Sequence, residues 1–309
     1  MMRHAKWKHL SLAIAFSLSI FTAGCGTAEK EQGNEEKGNN EENYSEKLDY
    51  TITGIEPGAG IMQATEKALE EYKNLATGWK VDVASTGAMT AELGKAIKNE
   101  EPIIVTGWTP HWKFAKYDLK FLDDPKGIYG DVEVIKTIAR KGLKEETPDA
   151  YKLLEQFHWE PEDMESIMLE SEKGVAIEEA AKNWVRENKD KVSEWTQGVE
   201  EVDGKAIELV HTQWDSEMAS TNVVAEVLRQ KGYKVKLTPV DVAVMFQSVA
   251  SGEADASVGA WLPATHKDAY EKYKDDLDDL GENLKGAKIG LVVPEYMDID
   301  SIEDLQPAK

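Results

Sequence analysis

Three stretches of this chain end alike: an apolar run, a tryptophan, then a turn. They are Pro102–Trp108 (PIIVTGW), Ile207–Trp214 (IELVHTQW) and Ala254–Trp261 (ADASVGAW). β-Branched runs bounded by Gly and Pro read as buried strands. The surroundings repeat as well. GWKVDV from Gly78 and GYKVKL from Gly232 each lead into a helical stretch and then a Trp-x-Pro motif, at Trp108 and at Trp261. Upstream, Thr51–Ile55 and Ile207–Val210 each run through a polar turn into a helix. Downstream, Glu133–Ala139 corresponds to Lys288–Val293. Each half thus reads strand, helix, strand, helix, strand-Trp and a later strand, the order of βα units on a largely parallel sheet.

Between the halves, Ala150–Phe157, Pro161–Leu169 and Ile177–Trp195 carry helical spacing. The fold class predicted is α/β with two related lobes, residues 48–130 with 286–309 and residues 131–285, and a cleft between them. In open α/β sheets ligands sit beyond the carboxyl ends of the strands. Trp108, Trp214 and Trp261 are therefore placed at the cleft. Trp159, Trp184 and Trp195 are assigned to the core of the helical region, Trp112 to packing on a helix after Pro110, and Trp79 to the opposite end of its lobe.

The N-terminal end changes the picture. Within residues 1–24, Arg3, Lys6 and Lys8 precede an apolar stretch from Leu10 to Phe21, then small residues lead to Cys25. This is the layout of a secretory leader, and the apolar run is short for a membrane span. Cys25 is the single cysteine, which excludes an internal disulfide. Its setting resembles the lipobox of bacterial lipoproteins, with Thr22 where Leu is usual, and implies lipidation at Cys25. Two acyl chains hold a protein stably at a membrane surface, where one does not. Residues 25–47, rich in Glu, Asn, Gly and Lys, read as a flexible acidic tether reaching roughly 25 Å.

About 260 residues remain for the fold. Removing the three basic residues of the leader takes the formal charge from −22 to −25. That balance disfavours nucleic acid and anionic lipid as partners. The acidic pairs Asp275–Asp276 and Asp278–Asp279 read as solvated surface, and neither a metal nor a cofactor is implied.

Three indoles meeting in one place suit a cation that cannot donate hydrogen bonds. An aromatic face attracts such a cation by about 0.5–1 kcal/mol when exposed and about 2 when desolvated, so three enclosing indoles supply roughly 5 kcal/mol less the desolvation cost. A carboxylate on the same ligand needs donors. Pro57–Met62 (PGAGIM) follows the first strand and opens a helix, so the backbone N–H groups of Gly60 and Ile61 are candidates. His266, five residues past Trp261, is a third. Asp215-Ser216-Glu217 after Trp214 is the nearest approach to a reactive cluster, and a helix N-cap around Ser216 explains it better. The chain carries no Gly-x-Ser-x-Gly, His-Glu-x-x-His or Walker A sequence. An enzyme is therefore not expected.

With GWTPHW from Gly107, PGAGIM from Pro57, WDSE from Trp214 and AWLPATH from Ala260 in view, the chain resembles the glycine betaine-binding lipoproteins of osmoprotectant ABC importers. The likeness runs from about Asp49 to Leu305. It implies a two-lobed, type II periplasmic-binding-protein fold with the ligand in the cleft. It further implies a prism of Trp108, Trp214 and Trp261 around a quaternary ammonium, with Gly60, Ile61 and His266 on the carboxylate. The implied partners are a glycine betaine or proline betaine ligand, an ABC permease with its ATPase subunit, and the extracytoplasmic face of the membrane through a lipid anchor. A choline- or carnitine-binding protein of the same fold is the alternative; a secreted hydrolase acting on a quaternary amine is a more distant one.

Overall fold

Residues 43–309 are described by the computed structural model, so the leader, Cys25 and the tether as far as residue 42 lie outside the described residues. The first part of the fold contains α1 (Tyr44–Lys47), β1 (Thr51–Thr53), α2 (Gly60–Glu71), β2 (Lys80–Asp82), α3 (Thr86–Asn99), β3 (Val105–Thr109), α4 (Trp112–Lys116) and β4 (Leu119–Phe121). The chain continues with β5 (Glu133–Arg140) and five helices, α5 (Leu143–Glu146), α6 (Pro148–Gln156), α7 (Pro161–Glu172), α8 (Ile177–Glu187) and α9 (Lys189–Trp195). It closes with β6 (Ala206–His211), α10 (Asp215–Gln230), β7 (Lys234–Pro239), α11 (Val242–Ser251), β8 (Ala256–Leu262), α12 (Lys267–Tyr273) and the long β9 (Leu277–Pro294).

The strands form the path β2-β1-β3-β9-β5-β8-β6-β7, with β4 on β9. Its two ends mirror each other. β2, β1 and β3 pair parallel, as do β7, β6 and β8. Each trio is then flanked by an antiparallel neighbour, β9 beside β3 and β5 beside β8. The repeat seen along the chain is thus a repeat in space. The sheet is mixed rather than largely parallel, because the two strands that return from one half to the other run against the trios they join. β9 serves both halves: up to Ala287 it pairs with β5, and from Lys288 onward with β3 and β4. This is a mixed α/β architecture of two mirrored halves, in keeping with the fold that the resemblance implies. β8 is buried along its whole length, as a strand flanked and covered on both faces must be.

Two local departures have clear causes. The helix expected over 177–195 breaks at Asn188, whose backbone leaves the helical region and whose side-chain amide donates to the Trp184 carbonyl at 2.9 Å. Asn competes with the helix for backbone partners in this way. The short α1 falls inside the stretch expected to be tether. Packing orders it: Ser45 is buried, and its hydroxyl accepts from the Gln306 amide at 2.8 Å. Trp184 stacks on Trp195 at 5.7 Å and meets Trp159 edge-on at 5.8 Å, which makes these three the core of the helical insertion. The Trp79 indole donates to the Gln306 carbonyl, at the start of β2.

Candidate functional site

β3 and β8 occupy equivalent slots, and their tryptophans follow. Trp108 lies opposite Ile289 of β9, and Trp261 opposite Ile135 of β5. Both are followed by a cis X-Pro bond, Thr109–Pro110 and Leu262–Pro263. Trp214 comes after β6 as the N-cap of α10. All three indoles line one cavity, together with Ile55, Ala59 and Ile289. Trp108 and Trp261 are buried and Trp214 half-buried.

Gly60, Ile61 and Thr265 complete the lining. α2 starts at Gly60 with Ala59 as an N-cap that has no side-chain acceptor, and its first turn holds no acidic residue. The N–H groups of Met62 and Gln63 bond the Ala59 carbonyl at 3.0 and 3.3 Å. Those of Gly60 and Ile61 are the uncommitted donors of the turn, at the positive end of the helix dipole. Glycine is required there, since a Cβ at residue 60 would stand 2.1 Å from the Thr265 carbonyl oxygen. The Thr265 turn is itself fixed by Glu133, whose carboxylate accepts from the amides of Ala264 and Thr265 and from the Thr265 hydroxyl.

His266 does not line this cavity. It borders an adjoining cleft that shares Gly60, Thr265 and Ile289 with it. Its Nδ1 accepts from the Trp261 amide at 3.1 Å, so the proton of the neutral ring sits on Nε2. That Nε2 is buried and has no partner among the described residues. Burial lowers the His266 pKa to about 3, so the ring is a neutral donor at physiological pH.

Behind the indoles lies a set of side chains not anticipated from the sequence. Glu217, buried in α10, accepts from the Trp261 indole N–H at 2.5 Å and from the Ser216 hydroxyl at 2.7 Å. Burial raises its carboxyl to about 7. Asp215 accepts from the Trp112 indole at 2.7 Å, which keeps Trp112 off the cavity lining. The Nζ of Lys113 lies 4.2 Å from the Trp108 ring centroid. Its complete burial holds the amine well below the lysine range, against the field of Asp215. The helix start expected around Ser216 is there, with Trp214 as the N-cap, and the serine hydroxyl turns to Glu217. Signals for these residues were weak. Glu217 and Thr265 sit inside the motifs quoted above, but nothing local says what they touch.

The family model describing the substrate-binding domain of ABC-type glycine betaine transport systems matches residues 34–187 and 205–309. The glycine betaine/carnitine transport binding protein GbuC of Listeria monocytogenes is 52% identical over 310 residues, covering 98% of this chain and 99% of that protein. Among solved structures, lactococcal OpuAC in its closed form with glycine betaine is 50% identical over 48% of this chain and 58% of that one, with a TM-score of 0.44. An ABC-transporter choline-binding protein in complex with choline is 27% identical over 50% of this chain and 55% of that one, with a TM-score of 0.45. The chain belongs to the family of substrate-binding domains of ABC-type glycine betaine transport systems.

Proposed function

We propose that this chain captures glycine betaine, and proline betaine, outside the cytoplasm and delivers it to an ABC permease driven by a separate ATPase subunit. It is a binding protein and not an enzyme. The observation that carries the ligand class is the convergence of Trp108, Trp214 and Trp261 on one apolar cavity. A trimethylated ammonium offers no N–H to an acceptor and is attracted by aromatic faces. The amides of Gly60 and Ile61 and the Nε2–H of His266 supply the donors for a carboxylate. Choline has no carboxylate and leaves those donors unused, which favours a zwitterion. The two lobes are residues 48–130 with 286–309 and residues 131–285. A ligand that touches both favours the closed arrangement because it binds that arrangement better.

Carnitine is a second reading, favoured by the cleft that continues from Gly60 and Thr265 past Gln63 and Lys67. A longer zwitterion has room there for its carboxylate. Titrating glycine betaine, proline betaine, carnitine and choline against intrinsic Trp fluorescence tests the assignment. The betaines are expected to bind tightest and choline weakest; choline binding as tightly as glycine betaine overturns it. The lipid anchor at Cys25 is tested by mass spectrometry of the detergent-extracted mature protein, whose N-terminus is expected to be Cys25 carrying acyl chains; an unmodified Cys25 refutes the anchor.

A further inference from the structure

Glu217 has no place in the capture of a zwitterion as described so far, yet a fully buried carboxylate is costly unless paired. Its oxygens are met only by neutral donors, the Trp261 indole, the Ser216 hydroxyl and its own backbone N–H. No cation acts on it among the described residues; the one charged neighbour is Asp215 on its own helix, which also repels a negative charge. The packed elements supply no partner either. Lys113 of α4 and His111, the N-cap of that helix, are both held toward neutrality by burial, α7 brings Glu165, a further carboxyl, and Lys152 of α6 donates to the Gly198 carbonyl. The basic residues of α8, Lys182 and Arg186, are exposed, and Lys236 of β7 pairs with Glu208. His211 of β6 and His266 are also held neutral by burial. β8 makes room for the carboxylate: a Cβ at Gly259 would stand 2.8 Å from the Glu217 Cγ.

We infer that Glu217 is a specificity-determining positioning residue, a buried carboxylate that orients Trp261 and supplies through it the negative charge that completes the box for a permanent cation. This rests on reading the three-tryptophan cavity as a cation box. A hydrogen bond from the indole N–H to a carboxylate fixes the ring and leaves it richer in electrons, and the charge favours an ammonium on the cavity side. The coupling is reciprocal. A cation in the box stabilises ionised Glu217, so binding releases a proton from the fraction of molecules in which the carboxyl is protonated. Affinity then rises with pH through the neutral range.

The test is calorimetric titration of the full chain with glycine betaine at pH 6 and pH 8, each in a buffer of low and one of high ionisation enthalpy. Neither the carboxylate of this probe nor its quaternary ammonium titrates in that window. For the wild type, affinity is expected to fall about fivefold from pH 8 to pH 6, with net proton release near pH 7. Glu217→Gln keeps an acceptor for the indole but not the charge. It is expected to bind about tenfold more weakly at pH 8, with no dependence on pH and no proton release. The wild-type proton count needs no variant to fold, and a count of zero overturns the inference. So does Glu217→Gln binding within twofold of wild type, or keeping the wild-type pH dependence. If glycine betaine does not bind the wild type at all, the cation box itself is wrong and the inference falls with it. If it binds with Glu217 inert, only the inference falls.

Discussion

Gly60→Ala places a single methyl group where two parts of the molecule nearly touch. A Cβ at this position would stand 2.1 Å from the Thr265 carbonyl oxygen, 2.8 Å from its Cγ2 and 2.9 Å from its carbonyl carbon. Side chains do not pack against backbone below 3.0 Å, so the start of α2 and the Thr265 turn must separate by about 1 Å. The turn cannot yield cheaply, because Glu133 holds it through two amides and a hydroxyl. Overpacking of this kind costs about 1–3 kcal/mol, and it falls on the arrangement in which the Gly60 and Ile61 amides face the same cavity as the tryptophans. Binding of glycine betaine is expected to weaken by about 5- to 150-fold. Without ligand, the two segments are free to part and the melting temperature should hold. Trp fluorescence titration and thermal melts of both proteins, with and without ligand, measure each effect. Wild-type affinity in Gly60→Ala would show that the close approach is not part of the bound state.

Substituting Ala for Trp108, Trp214 or Trp261 one at a time should weaken glycine betaine binding at least about tenfold, roughly 1.4 kcal/mol. Trp184→Ala, in the stacked cluster with Trp195, should instead cost about 3–5 kcal/mol of stability and leave affinity nearly unchanged in the folded protein. Equal effects from the two sets in calorimetry and urea melts would refute the assignment. His266 gives a pH prediction. Its folded pKa, about 3, lies below the unfolded value of 6.5, so the unfolded chain takes up the proton first. The stability contribution is whole above pH 6.5 and is lost as pH falls towards 3, at about 1.4 kcal/mol per unit. Urea midpoints should therefore drop more steeply between pH 6 and pH 4 in the wild type than in His266→Gln. Parallel curves would count against a buried, neutral imidazole.

The residues legible in the sequence are those whose role depends on local pattern. Apolar runs ending in Trp108 and Trp261 mark strands because period and composition suffice, and the repeated order of elements reveals two halves. The strand before Trp214 was also legible, although β6 stops at His211 and the tryptophan begins the next helix. What stayed hidden depends on contacts far apart in the chain. The direction in which β9 meets β3 is a matter of topology. The Trp112–Asp215 bond joins residues 103 apart, and that between Trp261 and Glu217 joins residues 44 apart. Composition alone assigned Tyr44–Lys47 to the tether, whereas a contact with Gln306 at the other end of the chain orders it. The cleft beside His266 was equally out of reach, since the ring is turned by the Trp261 amide.

The sharing of β9 between the two halves has a mechanical consequence. A continuous strand twists and bends readily but does not stretch, its rise per residue being fixed by covalent geometry. Were the angle between the halves to change, the strand would act as a pivot where it changes partners, close to Gly286, whose φ of +87° already departs from extended backbone. Ile289 lies three residues beyond that point and stands opposite Trp108 of β3, so a turn about it would displace this side of the box least.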